Sequence, residues 1–172
     1  MCLKALTTTA LITRKERAGF RRSGMQPQTL RVSVDSASKA DGLSAAVVRR
    51  VIATVLGGEG VDAAEFSVAF LSVQRMRALN RRLFGHDRAT DVIAFGMPHP
   101  GLVVGDIYVC PSVARRAARE LKESEHSEMI RLIVHGTLHA LGQEHPSGDG
   151  RCESDMWRKQ EAYLNSILRI IA

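Results

Sequence analysis

Ile130-Arg131-Leu132-Ile133-Val134-His135-Gly136-Thr137-Leu138-His139-Ala140-Leu141-Gly142-Gln143-Glu144-His145 carries a helix, its stop signal and three imidazoles in one run. From about Ser127 to Leu141, the apolar residues Ile130, Ile133, Val134, Leu138 and Leu141 recur at three- and four-residue spacing, which predicts a helix with one buried side. His135 and His139 fall beside that side, four residues apart, so both imidazoles face the same way. Gly142 can end the helix in a left-handed conformation and turn the chain, bringing His145 back towards the other two. Neutral imidazole is a good zinc ligand, and three protein ligands leave a fourth position for water, as in catalytic rather than structural sites. The expected metal ligands are therefore His135, His139 and His145, holding one Zn2+ at the end of this helix.

The residue after the first histidine shapes the chemistry. In His-Glu-x-x-His hydrolases that position carries the general base, and here it is Gly136. The ligands look like those of a metalloprotease while the proton-transfer machinery does not. Glu144, next to His145, is the nearby carboxylate that could serve as acid and base, or it could be a solvated loop residue. His86, His99 and His126 fall in turn-like or helix-start segments and read as exposed polar residues.

Outward from the histidines, Leu30 to Val34 alternates as a half-buried strand, and Asp41 or Ser44 can cap a helix from Ala45 to about Leu56, stopped by Gly57 and Gly58. Phe66 to Leu71 reads as a second strand, and Ser72 caps a helix to Leu83, closed by Gly85. Val92–Phe95 and Gly105–Val109 are short β-rich runs separated by a loop containing Pro98, Pro100 and Gly101. Helices follow from Ser112 to about Glu123, through the histidine run, and from about Glu153 to Ile171. Strands early and helices late predict a single α+β domain: a small mixed four-stranded sheet packed with about five helices, with no phosphate-binding glycine loop.

The chain has 172 residues and a net charge of +6, which invites a nucleic-acid reading. The charge is unevenly placed. Six basic residues and one acid lie before Met25, leaving 18 basic and 17 acidic residues, a balance of +1, in the rest. Residues 1–24 read as a disordered basic extension, with Met25 as an alternative start, and 25–172 as the folded domain. RNA affinity of that domain would have to come from local arginines such as Arg75, Arg77, Arg81, Arg82 and Arg88, or Arg115, Arg116 and Arg119. Cys2, Cys110 and Cys152 show no Cys-x-x-Cys spacing, which points to a reducing cytoplasm, with Cys110 as a core thiol and Cys152 as a conceivable fourth metal ligand. No segment is long and apolar enough for a membrane span, so no membrane partner is expected.

The stretch His135-Gly136-x-Leu138-His139-x-Leu141-Gly142-x-Glu144-His145 resembles the signature of the YbeY endoribonucleases, His-Gly-x-Leu-His-Leu-x-Gly-Tyr-Asp-His. Leu79-Asn80, Asp87, Thr90-Asp91-Val92-Ile93 and Phe95 are similar to a second family block, and Gly105-Asp106-Ile107 to a third. The resemblance runs from about Leu30 to the C-terminus. It implies one zinc held by the three histidines and zinc-dependent, single-strand-specific endoribonuclease activity. It also implies action in 16S rRNA 3′-end maturation and ribosome quality control, with ribosomal RNA, the small subunit, ribosomal proteins and assembly factors as partners. Four departures are mild: Glu144 for Asp, Ala89 for Pro, Ala94 for Ser, and Gly96 for Pro, the last read as a loop change. Phe84 is not mild, because it stands where the family carries an Arg implied to contact RNA phosphate; Arg81, Arg82 or Arg88 could supply the charge instead. His135, Glu144 and Arg82 are accordingly the expected catalytic residues. Two other functions remain open: a metal-dependent peptidase-like hydrolase, for which Glu144 would have to be the base, and a non-catalytic ribosome-associated factor with structural zinc.

Overall fold

The computed structural model describes residues 29–36, 43–146 and 148–171. The basic segment 1–24 and the capping candidate Asp41 lie outside the described residues. Four strands, β1 (Thr29–Ser36), β2 (Ala63–Phe70), β3 (Val92–His99) and β4 (Leu102–Val109), form one mixed sheet in the order β1-β2-β4-β3. β1, β2 and β4 run parallel, and β3 is antiparallel to β4. Among the described residues five α-helices accompany them: α1 (Ala45–Gly58), α2 (Val73–Phe84), α3 (Pro111–Leu121), α4 (Glu125–Ala140) and α5 (Asp155–Ile171). The expected α+β domain with four strands and five helices is what forms.

Local chemistry accounts for most helix ends. Ser44, Ser72 and Ser124 each accept a backbone N–H of the first turn through their side chains. Gly85 closes α2 at φ 74°, where a side chain would be strained. α1 runs through both glycines at its end, because nothing in Gly57 or Gly58 forbids helical φ/ψ and a Gly pair only weakens a helix.

The hairpin differs most from expectation. The sequence suggests a long loop between two short strands, whereas β3 and β4 continue to a tight turn, with Gly96 paired to Gly105 and His99 to Leu102. Pro98 removes one donor, but β3 is an edge strand, where a missing N–H breaks no second ladder. Gly96 is therefore a strand residue and not a loop residue. A Cβ built on it would lie 1.8 Å from the Ala140 carbonyl oxygen, so this glycine is where the strand backbone meets the end of α4.

α4 is the central element of the domain. It packs on β3, β4, α1, α3 and α5, and twelve of its residues are buried, including Glu128, His135, Gly136, Thr137 and His139. A helix with one buried side was the expectation. Instead neighbours enclose it almost all round, and its polar residues are buried with partners: the Thr137 hydroxyl donates to the Ile133 carbonyl at 2.7 Å, and Glu128 pairs with Arg131.

Candidate metal centre

α4 presents His135 and His139 one turn apart, and its last turn releases the chain through Gly142 at φ 77°, so that His145 returns over the helix end. The ring centroids of the three histidines lie 4.4 to 5.2 Å from one another. One ligand atom from each falls within 4.8 Å of the others.

Each imidazole is held by its other nitrogen. His135 Nδ1 donates to Gln160 Oε1 at 2.7 Å, and the amide of Gln160 is oriented because its nitrogen donates to Glu161 Oε1 at 2.9 Å. His139 Nδ1 donates to the Gln143 carbonyl at 2.9 Å, and His145 Nδ1 to the Pro146 carbonyl at 2.9 Å. Those oxygens only accept, so Nδ1 carries the proton in all three rings and the three Nε2 atoms are unprotonated, each with a lone pair. His135 Nε2 and His139 Nε2 are 3.0 Å apart, and two lone pairs at that distance cannot bond to each other. His145 Nε2 is buried without a hydrogen-bond partner. The arrangement calls for a cation, and neutral nitrogen donors with oxygen-anchored Nδ1–H groups fit zinc or a similar divalent transition metal.

Electrostatics agree with the ligand role. Burial, then the charges of His139 and Arg151, hold His135 well below the ordinary histidine range. Burial and the neighbouring His145 push His139 down to about 3. His145 is lowered chiefly by burial. All three are unprotonated at Nε2 at neutral pH, the form that binds a metal.

Gly136 has a positive reason to be glycine. Its missing side chain points away from the imidazoles into the sheet, where a Cβ would meet Ile107 Cγ2 at 2.9 Å and Ala94 Cβ at 3.4 Å. No protease-type Glu fits there. Of the other expected residues, Glu144 lies exposed beside His145, and Arg82 lies exposed on α2 with no hydrogen bond or ion pair to the histidines. Arg77 and Arg81 are engaged by Asp87 at 2.5 and 3.8 Å. Cys152 is not part of the converging group. His86, His99 and His126 are exposed, and Cys110 is a buried free thiol, as expected.

Two residues near the site were not anticipated. Gln160, on α5, orients His135 and is fully buried; its only sequence signal is a polar residue on the apolar side of the last helix. Arg151, in a short 3-10 turn (Asp149–Glu153), places Nη2 3.3 Å from His135 Nε2 and is 7% exposed. Nothing in the spacing of Arg151 could have marked it. The Thr90-Asp91-Val92 block has a mainly structural place: Asp91 is buried and accepts from the Thr90 hydroxyl and the Val92 N–H at the start of β3. Asp106 accepts from the Ser67 hydroxyl across β2 and β4.

The sequence profile of the family described as Endoribonuclease YbeY matches residues 33–168. A protein named Endoribonuclease YbeY from Chloroherpeton thalassium is 31% identical over 120 residues, 70% of this chain and 84% of that one. One of the same name from Chlorobium luteolum is 31% identical over 128 residues, 74% of this chain and 91% of that one. The solution structure of TM1509 from Thermotoga maritima is similar with a TM-score of 0.54 at 24% identity, covering 79% of this chain and 88% of that one, which supports the fold.

Proposed function

Because the chain belongs to the Endoribonuclease YbeY family, we propose that it is a zinc-dependent endoribonuclease acting on single-stranded RNA. The observation that carries this reading is the convergence of three oxygen-anchored imidazoles whose unprotonated Nε2 atoms face one another, with glycine where a peptidase keeps its base. His135, His139 and His145 would hold the ion through Nε2. A zinc ion there supplies Lewis acidity and a water made acidic enough to ionise near neutral pH.

The protein's own groups do the rest. Gln160 and the carbonyls of Gln143 and Pro146 fix the rings in the ligand tautomer, so the imidazoles themselves would need little reorganisation to take a metal. Glu144, exposed beside His145, would take a proton from the attacking water and return it to the leaving oxygen. Arg82, on the exposed face of α2, would contact the RNA backbone at a distance from the histidines. The oxygen that leaves a phosphodiester is far less basic than the nitrogen that leaves a peptide, which lessens the need for a strong general acid and makes the glycine at 136 tolerable.

The natural substrate in this reading is 16S rRNA near its 3′ end, in maturation and ribosome quality control, with small-subunit proteins and assembly factors as partners and a cytoplasmic location. Among the described residues no helix is long and apolar enough to cross a membrane. The test is metal analysis with cleavage assays on single-stranded RNA, duplex RNA and casein, for the wild type and His139→Ala. One zinc per chain with cleavage of single-stranded RNA, both lost in His139→Ala, is the expected result. Casein cleavage without RNA cleavage would replace this reading with the peptidase one.

A further inference from the structure

Arg151 is the one cationic side chain, among the described residues, with an atom within hydrogen-bonding distance of the histidine triad. Burying a guanidinium is costly unless anions offset it, and this one is more than nine-tenths buried. Two buried carboxylates, Asp91 and Glu128, act on it electrostatically, and its guanidinium carbon lies 5.9 Å over the Trp157 ring. The fold therefore keeps a positive group at the triad at some expense, on a turn of its own between Gly148 (φ 83°) and α5.

That group also stands in a place a metal requires. Arg151 Nη2 donates to the lone pair of His135 Nε2, and one sp2 lone pair cannot serve an N–H and a metal together. When a metal takes the nitrogen, the N–H must turn away, leaving a guanidinium beside the triad whose planar donors match phosphate oxygens.

We propose that Arg151 is the phosphate-binding residue of this centre: it caps His135 in the metal-free protein, and on metal binding the Nη2–H it releases from His135 holds an anionic oxygen of the substrate phosphate. The proposal rests on the phosphodiesterase reading of the site. It places the charge that the aromatic residue at Phe84 cannot supply on a different element, after the third histidine and not before β3. The expected consequence is a split effect of one substitution: weaker phosphate binding with metal binding undiminished.

The test uses the full chain with Arg151→Met and Arg151→Lys, each checked for native circular dichroism. Zinc affinity is measured by competition with a chromophoric chelator, inorganic phosphate is titrated calorimetrically into the zinc-loaded proteins, and cleavage of single-stranded RNA is followed at steady state. Arg151→Met should bind zinc at least as tightly as wild type, bind phosphate at least tenfold more weakly, and lose on the order of 10² in kcat/KM, about the value of one charge-directed donor. Arg151→Lys should recover part of the phosphate affinity. Unchanged phosphate affinity in Arg151→Met, or a loss of zinc showing that Arg151 only props up the triad, would overturn the proposal. If the wild type cleaves no RNA, the functional reading falls, while the phosphate and zinc titrations still decide the role of Arg151.

Discussion

Gly96→Ala isolates the contact on which the geometry of the histidine cluster depends. An ordinary carbon-to-carbonyl approach is about 3.3 Å, and the added methyl would sit 1.8 Å from the Ala140 oxygen, so strand and helix would have to part by about 1.5 Å. Both partners are backbone, and no rotamer can relieve the overlap. Forced overpacking costs about 1–3 kcal/mol or somewhat more, and the stiffer unfolded chain returns about 0.4–1 kcal/mol where the backbone angles suit alanine. The net loss is about 2 kcal/mol, which for a chain of this size lowers the melting temperature by roughly 4–8 °C. The functional effect should be larger than the thermal one. Ala140 follows His139 directly, and ligand positions matter to about 0.2 Å, so zinc affinity should fall at least tenfold. Gly57→Ala is the control: it lies inside α1, a Cβ there meets nothing within 4 Å, and helix propensity favours alanine by up to about 1 kcal/mol. Calorimetric melts and chelator competition on both variants form the assay. If Gly96→Ala melts with the wild type and holds zinc equally well, the inference that this glycine seats α4 against β3 is wrong.

Three further outcomes follow from the same contacts. Gln160→Leu leaves His135 Nδ1–H without its acceptor, and should weaken zinc binding about 10- to 100-fold while the fold persists; unchanged affinity would show that Gln160 does not orient the ring. Gly136→Glu should yield little folded protein and no casein cleavage, because its side chain is aimed at Ile107 and Ala94; a soluble caseinolytic variant would contradict that packing. The third concerns pH. Burial, then the Glu59 carboxylate that accepts its hydroxyl at 2.9 Å, pushes Tyr163 up to about 12. A raised value favours the protonated form, so its stabilisation is complete below the ordinary value of 10.0 and is lost as pH climbs from there to about 12. Burial opposes ionisation of Glu59, but hydrogen bonds from Lys159, Tyr163 and Gln143 outweigh it and lower the carboxyl, so its contribution is complete above 4.5 and is lost as pH falls through the lowered value. Glu59→Gln should flatten both limbs of the stability profile in denaturant titrations; two unchanged limbs would refute the assignment.

The three converging histidines were legible from the chain because they are local. The four-residue helical repeat and a glycine permissive of positive φ bring His135, His139 and His145 together whatever surrounds them. The strands and caps were legible for the same reason, since each depends on a few neighbouring residues. The hairpin was misread where Pro98 and Gly96 imitate loop chemistry, because edge position, a property of the whole sheet, makes them tolerable in a strand.

By itself, then, the sequence determined an α+β chain with three imidazoles on one helix end and no protease base beside them. Tertiary structure alone decided what those imidazoles face. Gln160 from α5 sets the tautomer of His135, Gly96 from β3 seats the helix end, and the sheet residues Ile107 and Ala94 close the space at position 136. Arg151 arrives from a turn that no periodicity announces. These partners lie 16 to 44 residues from the groups they act on, and only the packing of α4 at the centre of the domain brings them within reach.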